Sequence, residues 1–165
     1  MSTLLETLSS YVPSLVIYQA TKDPDYFTKP TNQELTCVVL FADISGFTAL
    51  TERLATLGPA GTEELTHLLN NYLGQLIDLI SLYGGDIVEF AGDALLAIWS
   101  TELLARDLEV LTQKVAQCCL TIQERLHNYA VASDVNLSMK LAIGTGKVLI
   151  QTLGGVFGRW EFLVA

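Results

Sequence analysis

Basic residues are scarce in this chain of 165 residues: nine lysines and arginines stand against 18 aspartates and glutamates, a formal charge of −9. A surface of that sign repels phosphate backbones and anionic lipid, which argues against nucleic-acid binding and polybasic membrane docking. Cysteine is rare. The three present, Cys37, Cys118 and Cys119, have neither the even count nor the spacing of a disulfide framework or a zinc site. Reduced thiols in a cytoplasmic protein are expected. No apolar run reaches the ~20 residues that span a bilayer. The opening MSTLLETLSSYVPSLVIYQ contains a glutamate and no basic residue, unlike a signal peptide. What is abundant is apolar: 50% of residues are hydrophobic, enough for the core of one domain. A nucleotide is itself an anion, so an acidic protein that handles one needs metal ions. Paired carboxylates are therefore the feature to seek.

Residues 1–30 read as an extension packed on the core, and residues 31–165 as the main domain. A short helix is expected over 3–10, a short strand or packed extended piece over 15–18, and a surface connection over 21–32, which holds two prolines. LTCVVLFA at 35–42 is a nearly continuous apolar run of β-formers, which reads as a central strand covered on both faces. Thr48 is expected to cap a short helix through 54. Thr62 is expected to start a helix to about residue 82, with Leu65, Leu69, Tyr72, Leu76 and Ile80 at helical spacing. Residues 86–99 read as a hairpin turning at 91–93. Asp107 is expected to cap a helix to about 129. A strand at 136–146, a ribbon from 148 and a last strand at 159–165 follow. This order gives an α+β fold, an antiparallel or mixed sheet covered by helices on one face. The last strand carries no polar tail, and the domain reads as C-terminally truncated.

Asp43 directly follows the apolar strand, where a rigid element fixes a charge at an exposed end. The next residues, ISGF, turn toward a helix, and their N–H groups can form a cradle for phosphate oxygens. The same turn places the Ile44 carbonyl near a metal. Asp93 lies at the hairpin tip beside Gly92. If the 35–42 strand lies next to the hairpin, the two carboxylates converge. Two hard carboxylates select Mg²⁺ or Mn²⁺ and point to phosphoryl or nucleotidyl transfer by two ions. Taken singly, Asp43 also reads as a helix cap and Asp93 as a turn residue.

FADISGFTALTERL followed by GGDIVEFAGDALLAIW resembles the class III nucleotidyl cyclases. VPSLVIYQ and FLVA bring the likeness closest to the first catalytic domain of the bicarbonate-responsive soluble adenylyl cyclases and their bacterial relatives. The resemblance implies a ferredoxin-like βαββαβ core and a site shared with a homologous half, in a homodimer or a second domain. In that site a 3′-hydroxyl attacks the α-phosphorus of ATP or GTP, giving a 3′,5′-cyclic nucleotide and pyrophosphate. It assigns Asp43, Ile44 and Asp93 to the metal ions. Ile44, Ser45, Gly46, Phe47 and Thr48 become the phosphate turn, with Phe47 packed.

Glu89 falls where the family reads the base, lysine in adenylyl and glutamate in guanylyl cyclases. A carboxylate accepts from guanine N1 and N2 but cannot donate to adenine N1. Glu89 thus points to GTP in a homodimer, and leaves ATP open where a distinct half reads the base. It also opposes a bicarbonate site there, because like charges repel. The family's later Asn/Arg pair and lysine lie beyond FLVA, so the isolated chain is expected to be inactive or very weak. Lys147 and Arg159 match neither. Arg159, Trp160, His67 and His127 read as structural or surface residues. The reading is an adenylate cyclase domain acting on ATP. Its alternatives are a guanylate cyclase and a non-catalytic domain of the same fold.

Overall fold

The structure is a computed structural model and describes residues 9, 12–23, 25–132 and 135–165. Apart from Ser9, the helix expected over 3–10 lies outside the described residues. The elements are α1 (Ser14–Lys22), β1 (Thr31–Ser45), α2 (Phe47–Ala55), α3 (Pro59–Leu82), β2 (Asp86–Ala91), β3 (Ala94–Ser100), α4 (Thr101–Leu104), α5 (Leu108–Leu126), β4 (Tyr129–Ala132), β5 (Val135–Gly154) and β6 (Trp160–Val164). A 3₁₀ turn, Val156–Gly158, joins the last two strands.

The strands run in the order β2-β3-β1-β5-β4, with β6 paired to β5, and every pairing is antiparallel. Within it, β1, α3, β2, β3, α5 and β5 trace the βαββαβ core. The long apolar strand is central because both its edges are paired, to β3 and to β5.

Strand alternation divides β1 between two cores. Val38, Leu40, Ala42 and Ile44 pack under α2, α3 and α5, with Leu50, Tyr72, Leu76, Trp99, Val115 and Ile122. Leu35 and Cys37 face the other way and join Ile98, Val148, Ile150 and Leu15 of α1. Tyr72, fully buried in the first core, donates its hydroxyl to the Leu126 carbonyl at 2.7 Å. Trp99 Nε1 donates to the Tyr83 carbonyl at 2.9 Å, fixing the link from α3 to β2.

Several expectations are corrected. Residues 15–18 are helical, not extended; Leu15, Val16 and Gln19 are the buried residues of α1, at helical spacing. Helices do not cover one face alone, since α1 lies on the outer face. The cap expected at Thr48 and the helix start expected at Thr62 both lie earlier in the chain. Gly46 and Gly58 occupy those N-cap positions, and Pro59 takes the first turn of α3, where its missing N–H costs nothing. Asp107 stands at the N-cap of α5, but its side chain makes no capping bond, and α5 stops at Leu126, not 129. The strand and ribbon expected from 136 onward are one strand of 20 residues, β5.

Candidate active site

Pairing of β1 with β3 sets Asp43 opposite Ala94, and Asp93 is the residue just before it, at the end of the turn. The Ile44 N–H donates to the Asp93 carbonyl at 3.3 Å. Asp43 on β1 and Asp93 in the turn that leads into β3 are therefore backbone neighbours, on elements spaced by about 4.8 Å. Ala91 pairs with Ala94, leaving Gly92 and Asp93 as a two-residue turn; Gly92 has φ 65°, as such turns require. The turn is one residue tighter than expected, and Asp93 is exposed at its tip.

Gly46 ends the turn after β1. Its φ is 96°, and a Cβ there would meet the Asn136 carbonyl oxygen at 2.7 Å. Only glycine fits, both for backbone conformation and for space. As N-cap of α2 it carries no side-chain capping bond, and the first helical bond runs from Leu50 N–H to its carbonyl at 3.1 Å. The preceding N–H groups of Phe47, Thr48 and Ala49 are those that a helix start leaves for an anion. Ser45 Oγ is buried and has no hydrogen-bond partner among the described residues. Phe47 is half-buried against the main core, and Thr48 is exposed. A cleft of about 430 Å³ opens here, lined by Ile44, Phe47, Leu69, Leu73, Gly92 and Asp93.

Glu89 is exposed on β2 after a bulge and pairs with Leu96, which in turn pairs with Phe41. Phe41 and Asp43 alternate onto one face of β1, so Glu89 shares the outer sheet face with Asp43. That face carries apolar surface: Phe41 is 44% exposed.

Lys140 escaped the sequence reading. It lies opposite Asp43 on β5, and its Nζ is 3.8 Å from Asp43 Oδ2. The alternation of NLSMKLAI assigns it a face, but only the pairing of β5 with β1 gives it a neighbour. Lys147 instead pairs with Glu34 at 2.8 Å, far along β1. Arg159 and Trp160 belong to the β5–β6 end, and His67 and His127 are exposed.

The donor set fits a small hard cation. Among the described residues no group of three or more His, Cys, Asp or Glu can hold a metal. Mg²⁺ needs no such cage, because one or two carboxylates plus substrate phosphates complete its shell. Two carboxylates on adjacent backbone positions and an orphaned hydroxyl fit that pattern.

Residues 30–162 match the family model for the adenylate and guanylate cyclase catalytic domain. The chain belongs to this family. Adenylate cyclase type 10 of Rattus norvegicus is 31% identical over 152 residues, covering 89% of this chain and 9% of that protein. The chain thus spans under a tenth of that relative's length. A bacterial light-regulated adenylyl cyclase superposes with TM-score 0.72 at 24% identity, over 96% of this chain and 44% of the other, a likeness of fold. The guanylyl cyclase Cya2 gives TM-score 0.62 at 26% identity, over 81% of this chain and 65% of that one. Among the described residues no helix is long and apolar enough to cross a membrane.

Proposed function

We propose that this cyclase domain supplies the metal-binding half of a site that converts ATP to 3′,5′-cyclic AMP and pyrophosphate, completed by a homologous half in the cytoplasm. The observation that carries the reading is the placement of Asp43 beside Asp93 at the end of β1, next to an uncapped helix start. Asp43, Asp93 and the Ile44 carbonyl hold two Mg²⁺ or Mn²⁺ ions. When bound, the ions lower the pKa of the 3′-hydroxyl and neutralise the leaving pyrophosphate.

The remaining work falls to the chain. The turn from Ile44 through Thr48 orients the phosphates, through the free amides of Phe47 and Thr48 and the Ser45 hydroxyl. Lys140 adds a positive charge on the same face. The 3′-oxygen forms its bond to the α-phosphorus as the bond to the β-phosphate oxygen breaks, and the hydroxyl proton leaves to solvent. The exposed apolar surface around Phe41 supports a partner half on the outer face, which would also shield the reaction from water.

A second reading has its own observation. Glu89 is exposed on the same face as Asp43, where a symmetric partner would present it to a base. In a homodimer that carboxylate favours guanine, and the substrate becomes GTP.

The test is cyclic nucleotide production with Mn²⁺ and either ATP or GTP, by this chain alone and by the full-length protein, beside Asp43→Asn. Product lost in the variant supports catalysis through this half, and the preferred triphosphate decides between the two readings. No product from either nucleotide with the folded full-length protein leaves a non-catalytic domain of cyclase fold.

A further inference from the structure

In a chain with nine basic residues and a net charge of −9, one lysine stands directly opposite the carboxylate proposed to hold metal. Lys140 Nζ lies 3.8 Å from Asp43 Oδ2, on the side of β1 away from Asp93. The Asp43 side chain is 33% exposed and that of Lys140 75%. The geometry is asymmetric: Asp43 is held between two paired strands, whereas the lysine head is largely free to swing.

A cation 3.8 Å from Asp43 competes with a divalent ion for the same carboxylate. Two unit charges at about 4 Å interact by roughly 1 kcal/mol in a water-like medium and more where solvent is partly excluded. A divalent ion entering alone must overcome the repulsion of Lys140 or displace it into water. A triphosphate changes that balance, because it brings several negative charges to the same face. The ammonium then has a stronger partner than Asp43, and the carboxylate is released.

We infer that Lys140 is a charge gate that keeps free divalent cations off Asp43, so that metal is taken together with the triphosphate rather than before it. The inference rests on the reading of Asp43 as a metal ligand. It concerns the order and selectivity of loading, a property of the pair and not of Asp43 alone. In an acidic protein such a gate has a clear use, since an ungated carboxylate pair would collect free divalent ions without substrate.

The gate is tested by Mn²⁺ binding without nucleotide, followed through the electron spin resonance signal of free Mn²⁺. Wild type is compared with Lys140→Met, Lys140→Arg, and Asp43→Asn in the wild-type and methionine backgrounds. Met keeps the length and apolar stem of an exposed side chain without its charge, and circular dichroism confirms folding. Lys140→Met should bind Mn²⁺ about five-fold more tightly, the factor that corresponds to roughly 1 kcal/mol at this separation. Lys140→Arg should stay near wild type. Asp43→Asn should abolish the gain. Unchanged affinity in Lys140→Met, with binding still lost in Asp43→Asn, overturns the gate and leaves the metal site standing. Binding that ignores Asp43→Asn overturns both.

Discussion

Asp86 accepts the backbone N–H of Leu15 through Oδ2 at 2.8 Å, and that of Ser14 through Oδ1 at the same distance. A carboxylate at the first residue of β2 thus caps a helix 71 residues earlier in the chain. It satisfies two of the donors that a helix start leaves unpaired, and its charge complements the positive end of the helix dipole. The cap holds α1 over the outer core, where Leu15 is fully buried.

Asp86→Ala should therefore destabilise the protein by about 1–2 kcal/mol, the range for loss of a helix cap. Asp86→Asn keeps an acceptor oxygen and should lose less. Urea unfolding of the three proteins measures this. An alanine variant with an unchanged midpoint and slope would show that α1 is held without the cap.

The same contact explains what the sequence could not reveal. LVIY is rich in β-formers, and locally it reads as extended. Its helix is stabilised by Asp86 and by the floor of Leu35, Cys37 and Ile98, all distant in sequence. Lys140 was hidden for the same reason, because its partner is set by strand pairing. Where local pattern and tertiary environment agree, the reading held. The apolar run before Asp43 is paired on both edges, the helix ending near residue 82 shows its 3.6 period, and a glycine-bearing turn closes the hairpin. The backbone neighbourhood of Asp43 and Asp93 follows from the pairing of β1 with β3. Thr48 misled because Gly46 takes the capping position, and Thr62 because the helix already starts at Pro59.

The cysteines offer a probe of global opening. Burial pushes Cys37 up to about 12, with the Glu102 charge adding to it, and Cys118 also to about 12, with its neighbour Cys119 adding to it. Burial alone raises Cys119 to about 11. At about pH 8 even Cys119 has roughly one thiolate in a thousand. Native protein should react with Ellman's reagent only as fast as it opens, and all three thiols should react at once in denaturant. Rapid native labelling of any one would contradict its burial.

Glu102 supplies a pH dependence. Desolvation pushes its carboxyl up. Hydrogen bonds from Ser100 Oγ at 2.7 Å and from the Thr36 N–H at 3.1 Å outweigh that and hold it below the ordinary 4.5. A carboxyl with a lowered folded-state value binds protons more weakly when folded. Its contribution to stability is therefore present above 4.5 and is lost as pH falls through the folded value. Glu102→Gln should be less stable than wild type near neutral pH, and the gap should narrow as the pH is lowered below 4.5. Unfolding midpoints across that range test it. A gap that stays constant would mean that the carboxylate charge does no stabilising work there.

Gly46 joins stability to the site. Alanine at φ 96° is strained by about 1 kcal/mol or more, and its Cβ would drive into the Asn136 carbonyl at 2.7 Å. That oxygen belongs to β5 backbone, which gives way only by moving the strand, so the cost should exceed the conformational strain alone. The strand also carries Lys140, and the turn carries the α2 amides. Gly46→Ala should thus lower the unfolding midpoint and, in the folded fraction, weaken triphosphate binding beyond what stability explains. Urea unfolding gives the first, and titration with ATP or GTP in the presence of Mn²⁺, at a temperature where circular dichroism shows the variant folded, gives the second. A folded variant that binds triphosphate like wild type would remove the turn from the phosphate site, whatever its stability.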